Sequence, residues 1–270
     1  MIFDCFPFYN EFDILEIRIL ELYNIVDKFV IVEADKTFRG NPKPFYFLEN
    51  RDRFRPFNDK IIYLQHKFDK NEDQQKNSLK HALVECKDDD IIMFGDVDEI
   101  PNSNYVIEAI DKIKNIKKIR AITFDGNMYC YFLNGMRCLK SGNPVTWMGT
   151  IMMRYNYLKK KDLVHIRNGV RNKYNRKYIH LKNSGWHFSF IGSIEKIQEK
   201  ISNWGHWAEF QHRNNKVYLS KCINQGLYLV ETTGNIVQYV PIDDSFPKAV
   251  KTNPQAYAHI IKDVSLKRTI

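Results

Sequence analysis

Three carboxylates in four residues, Asp96, Asp98 and Glu99, follow the apolar run Ile91-Ile92-Met93-Phe94 after a single Gly95. Such a run has the length of a buried parallel strand. Pro101 lacks the N–H that a ladder needs, so the chain is expected to turn there. The acids then sit at the carboxyl end of a strand, where open α/β sheets hold their ligands. Carboxylates gathered in one place repel one another unless a cation holds them. Their hard oxygens suit Mg2+ or Mn2+, which bind through one or two carboxylates and complete the shell with substrate phosphates. A solvated acidic loop is the plainer alternative.

Other residues could complete such a centre. His187, two residues after Gly185, could add a metal ligand, or it could be a satisfied structural histidine. Trp186 beside it could stack on a sugar ring or fill core. In Trp204-Gly-His-Trp-Ala-Glu-Phe-Gln-His212, Glu209 is a candidate general base, since an aromatic setting raises a carboxylate pKa toward neutrality. Asp125, at the end of a later strand, competes for that role. Glu99 has no assigned role: it could orient a neighbour, cap the helix after Pro101 or contact a bound ligand. The chain has no P-loop, G-x-G-x-x-G, G-x-S-x-G or H-E-x-x-H motif. With only 12 Gly, a glycine cradle for phosphate is not expected. A metal would then do most of the neutralisation of a bound diphosphate.

The elements that must position these groups follow from periodicity. Residues 2–8 read as a strand. Asn10 reads as the N-cap of a helix with Leu15, Ile19 and Leu22 on its buried stripe. Phe29–Glu33 and Ile61–Leu64 are further strands, separated by a long loop over 43–60. A helix opening at Asn71-Glu72-Asp73 carries Leu79, Ala82, Leu83 and Cys86, and leads into the strand before the acids. Beyond Pro101 come a helix over 105–114 and strands over 119–124, 128–133 and 147–154, with Asp125-Gly126 as a turn. Residues 155–177 read as basic loop with one short strand. Two strands flank a turn at Lys182–Gly185. Ser193 caps a helix bearing Ile194, Ile197 and Ile201. A strand at 236–240 follows a weaker helical signal. Alternating strands and helices predict an α/β fold: a mostly parallel central sheet flanked by helices, in one domain.

At 270 residues, 44% hydrophobic and 27% charged, the chain can bury a full core. The net charge of +9 suits an anionic ligand, but its clusters, Lys159–Lys161 and Arg167–Lys177, read as a solvated basic face. Five cysteines without a C-x-x-C pair predict reduced, mostly buried thiols rather than a disulfide framework or zinc site. The absence of a basic leader or long apolar stretch leads to the expectation of a soluble, cytoplasmic protein with no membrane span.

Several spaced stretches together resemble glycosyltransferase family 17, whose animal members are β-1,4-mannosyl-glycoprotein 4-β-N-acetylglucosaminyltransferases. They are Asp4-Cys-Phe-Pro-Phe-Tyr-Asn-Glu11, Phe29–Glu33 with Lys36-Thr-Phe38, Lys43-Pro44 with Tyr46-Phe47, Asp96-Val-Asp-Glu-Ile-Pro101, and Gly185-Trp-His-Phe-Ser189 followed by His206 and Glu209. The resemblance implies a single GT-A (Rossmann-like) domain over 1–270, with 1–101 as the nucleotide-binding half and 102–270 as the acceptor side. It implies inverting, metal-dependent transfer of a sugar, GlcNAc from UDP-GlcNAc, to a glycan hydroxyl. Asp98 would bind Mn2+ or Mg2+ directly. Asp96 would bind the ribose, or the metal through water. His187 would add a metal or diphosphate contact. Asn10, Glu11, Glu33, Asp35, Asn77 and Trp186 would line the donor site, with Glu11, Glu33 and Asp35 at the uridine. Glu209 or Asp125 would be the base. Gln75-Lys76-Asn77 departs from the family's Gln-Arg-Asn at a phosphate contact. The partners implied are a UDP-sugar and a glycan acceptor, not nucleic acid. Two other readings compete: a D-x-D phosphohydrolase, and a non-catalytic basic module for glycan or nucleic acid.

Overall fold

The computed structural model describes residues 1–67, 72–171, 175–203, 207–229 and 234–264, without the side chain of Trp207. In chain order the first elements are β1 (Ile2–Pro7), α1 (Phe12–Leu22), β2 (Lys28–Ala34), α2 (Tyr46–Glu49), β3 (Ile61–His66) and α3 (Glu72–Ser78). Next come β4 (Ile91–Phe94), β5 (Glu99–Pro101), α4 (Ser103–Asn115), β6 (Ala121–Tyr131), β7 (Gly135–Cys138) and β8 (Thr146–Arg154). Then follow α5 (Tyr155–Leu158), α6 (Leu163–Val170), β9 (Tyr178–Ile191), α7 (Ile194–Asn203), α8 (Trp207–Phe210), α9 (Lys216–Gln225), β10 (Ile236–Tyr239) and α10 (Lys248–Thr252). The chain divides into two compact units, Met1–Gly126 with Met148–Gly185, and Asn127–Trp147 with Trp186–Ile270.

The first unit has the expected α/β architecture. β1 pairs in parallel with β2 and β4, and β2 with β3. β8 joins β4 antiparallel, giving the order β8-β4-β1-β2-β3. Successive strand residues point to opposite faces, and here both faces are covered. Phe29, Ile31, Ile91 and Met93 pack with Leu15, Ile19 and Leu22 of α1 and Val106, Ala109 and Ile113 of α4. Val30, Val32, Ile92 and Phe94 pack with Leu79, Leu83 and the α6 residues Leu163, Ile166 and Val170. Burial on both faces is why these strands read as unbroken apolar runs.

Several local expectations are corrected. The N-cap residue of α1 is Glu11, not Asn10, and no side chain caps the helix. The stretch 43–60 is not loop: α2 and a 3-10 turn over Arg51–Phe57 bury Phe47 and Phe54. The chain turns earlier than Pro101, at 97–98, and a short strand, β5, then runs from Glu99 to Pro101 and pairs with β9. Asp125-Gly126 is not a turn but the middle of β6. The alternation of Trp147, Gly149, Ile151 and Met153 predicts a half-exposed strand, but β8 is buried on both faces from Gly149 to Met153. Residues 155–177 contain two helices, α5 and α6. Lys182–Gly185 lies inside β9. A Cβ on Gly185 would stand 2.4 Å from the Ile100 carbonyl oxygen, so this glycine admits a neighbouring backbone rather than a turn. Asn71, Trp204, Gly205 and His206 lie outside the described residues.

In the second unit, β10 pairs antiparallel with β7, and β7 with the end of β6 at Tyr129↔Met136. Cys130, Tyr131, Ile197, Ile201, Leu219, Cys222, Leu229 and Val237 form its core. All five cysteines carry free thiols, four of them buried. Among the described residues no helix is long and apolar enough to cross a membrane.

Candidate active site

The acidic turn between β4 and β5 is held from below by a buried arginine. Arg18 of α1 is fully buried and forms a two-pronged ion pair with Asp4 of β1, Nε to Oδ2 and Nη2 to Oδ1, each at 2.7 Å. Its Nη1 donates to the backbone carbonyls of Asp96 (3.0 Å) and Glu99 (2.8 Å), with Val97 at 3.4 Å. The planar guanidinium thus gathers a strand carboxylate and the turn's carbonyls at one point. The hydroxyl of Thr150 on β8 also donates to the Glu99 carbonyl, at 2.6 Å.

Glu99 has a role the sequence did not disclose. Its Oε2 accepts the backbone N–H of Asp96 at 3.0 Å. Its Oε1 accepts from Arg167, and Arg171 lies at 3.9 Å. It braces the turn, while Asn102 caps α4 by accepting the N–H of Asn104 at 2.9 Å. A Cβ on Gly95 would meet the Thr150 hydroxyl at 2.2 Å and Glu99 Oε2 at 3.0 Å. Only glycine leaves room for this closure.

Asp96 is enclosed by cations. Lys76 Nζ stands 2.8 Å from Oδ1, and both terminal nitrogens of Arg167 stand 3.1 Å from Oδ2. Burial works against ionisation, but Arg167 and Lys76 outweigh it and hold the carboxyl well below the usual carboxylate range. Lys76 also pairs with Glu72 at 2.5 Å. Burial pulls its pKa down, but Asp96 and Glu72 carry it above the ordinary lysine value. Burial and the neighbouring Arg167 lower the pKa of Arg171. Asp98 is buried at 6% exposure.

Asn77 joins α3 to α6. Its Oδ1 accepts the N–H of Leu163 at 2.8 Å, and its Nδ2 donates to Asp162 at 2.5 Å. Asp162 in turn caps α6 by accepting the N–H of His165 at 2.7 Å. These contacts seat the helix that carries Arg167.

The acids at the ends of α1 and β2 meet around Lys43. Glu33, fully buried, accepts from Lys43 Nζ (3.1 Å), the N–H of Phe47 (3.1 Å) and the Tyr63 hydroxyl (2.9 Å). Lys43 lies under the rings of Tyr9, Phe45 and Tyr46 at 5.1–6.0 Å. Burial raises the Glu33 pKa and lowers that of Lys43. Asp35 and Glu11 also act electrostatically on Lys43.

Asp125 is buried on β6 and accepts from Lys182 of β9 through Oδ2. Its Oδ1 has no hydrogen-bond partner among the described residues, with His180 Nδ1 at 3.9 Å. In the second unit, Trp186 is buried and donates to the Ser245 carbonyl at 2.9 Å. His187 packs on the exposed Trp147, ring centroids 5.4 Å apart. Glu209 lies on α8 and is exposed.

The family model for glycosyltransferase family 17 matches residues 1–252. The chain belongs to glycosyltransferase family 17. That is a family of glycosyltransferases, not of phosphohydrolases. A curated relative from Rattus norvegicus, a β-1,4-mannosyl-glycoprotein 4-β-N-acetylglucosaminyltransferase, is 22% identical over 292 aligned positions. That match covers 94% of this chain and 53% of the relative, so the chain spans about half the relative's length. Among solved structures, a Pyrobaculum calidifontis mannosyltransferase in complex with GDP-Man and Mn2+ has a TM-score of 0.46 at 13% identity, covering 80% of this chain and 65% of that one. A Francisella tularensis 2-C-methyl-D-erythritol 4-phosphate cytidylyltransferase has a TM-score of 0.40 at 11% identity, covering 75% and 99%.

Sequence reasoning found the acidic turn but missed Arg18, Arg167, Thr150 and Asp4. Arg18 left a signal, a charged residue at i+3 from Leu15 and i−4 from Leu22, on the apolar stripe of the helix. Arg167 left none, because its stretch read as solvated loop.

Proposed function

We propose that this glycosyltransferase moves GlcNAc from UDP-GlcNAc to a glycan hydroxyl with inversion at the anomeric carbon, using a GT-A-type domain. Residues 1–101 serve the nucleotide and residues 102–270 the acceptor. The supporting observation is the acidic turn itself. Arg18, Asp4, Thr150 and Glu99 hold it rigidly at the carboxyl end of β4, the place where α/β sheets bind ligands. A preorganised turn of this kind orients a donor without reorganisation during the reaction.

Inversion needs one displacement. A base takes the proton of the acceptor hydroxyl as its oxygen bonds to the anomeric carbon, and the bond to the UDP oxygen breaks on the opposite face. Asp125 suits the base: it is a buried carboxylate with Oδ1 unpartnered among the described residues. Glu209, exposed on α8, is the second candidate.

The family resemblance also implies Mn2+ or Mg2+ on Asp96, Asp98 and His187. Within the first unit, Asp96 does not present an open ligand atom. Both Asp96 oxygens are engaged by Lys76 and Arg167. Among the described residues no three His, Cys, Asp or Glu side chains are grouped to hold an ion. No step of the reaction is therefore assigned to a metal.

A donor screen tests the proposal. UDP-, GDP- and CMP-sugars are offered with a panel of glycans, with and without Mn2+, and nucleotide release is read. UDP-GlcNAc should be turned over preferentially; preference for another nucleotide would overturn the donor assignment. Asp125→Asn should cut turnover by about a hundredfold or more with UDP affinity unchanged. Retained turnover would move the base to Glu209.

A further inference from the structure

Lys76 and Arg167 present charged donors at the acidic turn, beside the carboxylate that the sequence led us to expect on a metal ion. Arg167 meets Asp96 Oδ2 with both terminal nitrogens at 3.1 Å, while Lys76 takes Oδ1 at 2.8 Å. A phosphate offers the same arrangement of acceptor oxygens. The side chains of Lys76 and Arg167 are 8% and 5% exposed, whereas that of Asp96 is 33% exposed. Solvent therefore reaches this cluster at the Asp96 carboxylate. Each cation has a second anchor, Lys76 on Glu72 at 2.5 Å and Arg167 on Glu99. They keep their places if Asp96 lets go. Arg167 Nε is buried with no acceptor among the described residues, so the present partners leave one donor over. A buried donor without an acceptor is costly, and an incoming anion could supply one.

We propose that Lys76 and Arg167, with Arg171 beside them, bind the donor's diphosphate directly and without a metal ion, and that Asp96 holds their place as an internal anion until the donor arrives. The inference rests on the reading of this turn as a nucleotide-sugar site. It assigns Asp96 a role opposite to that of a donor-binding ligand. The carboxylate competes with the phosphates for the same two cations, so removing its charge should favour the ligand.

Calorimetry with inorganic pyrophosphate and with UDP, both in excess chelator, tests this. Asp96→Asn should bind both ligands about tenfold tighter than the parent chain, the size expected from removing a charged competitor. Arg167→Met and Lys76→Met should bind both about tenfold or more weakly. Those two substitutions fall on buried side chains, so far-ultraviolet circular dichroism accompanies them. Asp96→Asn, at a partly exposed position, keeps the test decisive if either fails to fold. The proposal is overturned if Asp96→Asn binds pyrophosphate no tighter than the parent in chelator, or if it binds only once Mn2+ is added. Pyrophosphate carries neither base nor sugar, so this result stands whatever donor the screen selects. Turnover of UDP-GlcNAc alongside unimproved binding by Asp96→Asn would remove the inference and leave the glycosyl transfer intact.

Discussion

Asp96 keeps a third of its side chain in solvent while Asp98 and Glu99 beside it are buried. Arg167 and Lys76 nevertheless hold its carboxyl below the usual carboxylate range, against the opposing effect of burial. Its folded-state pKa lies below the unfolded value. The pairing therefore stabilises the fold at pH above about 4 and is lost as the pH falls through the lowered value. Asp96→Asn should reduce the urea midpoint modestly at pH 7 and flatten its decline between pH 4 and pH 2. An acid limb as steep as the parent's would mean that other carboxylates carry it. Among single residues the sequence disclosed the three acids by type and spacing. It did not disclose that Glu99 serves the backbone of Asp96, because that contact depends on how tightly the chain closes over Gly95.

Buried ion pairs join elements that are distant in sequence. Arg18 ties α1 to β1 through Asp4 and to the turn between β4 and β5 through its carbonyls. Arg18→Met would leave the Asp4 carboxylate buried and alone, which costs about 3–5 kcal/mol. Urea denaturation should show a loss of that size, and a change under 1 kcal/mol would rule out this role. Asn77 does similar work between α3 and α6. Asn77→Ala should cost about 1 kcal/mol, as loss of a helix-end contact does. It should also weaken pyrophosphate binding, since α6 carries Arg167. Unchanged binding would separate α6 seating from the anion site. Element existence was legible wherever both faces of a strand were apolar, as in β1, β2 and β4. It was not legible for α5 and α6. Their basic surface hid Leu158, Leu163, Ile166 and Val170, which are buried in the core.

The whole chain carries a net charge of +9, enough to attract polyanions nonspecifically. Such binding falls steeply with salt because it is driven by counterion release. Retention on a DNA column should vanish at moderate ionic strength, while nucleotide release from the preferred donor persists. Salt-resistant DNA binding without nucleotide release would favour a nucleic-acid module over the transferase. The charge is also less freely solvated than its sequence clusters imply, because Arg167 is buried among acids.

By itself the sequence determined the strand-borne acids, the α/β alternation, the order of the family motifs and hence glycosyltransferase family 17. These are local properties, written in residue type, period and spacing. Only the tertiary structure decided what neutralises the acids. Arg18 reaches the turn from 78 to 81 positions away, and Arg167 from 68 to 71. Contacts over such separations, to backbone carbonyls for Arg18 and to carboxylates for Arg167, depend on which helix crosses which strand end, and that is settled by burial of both sheet faces rather than by any local pattern.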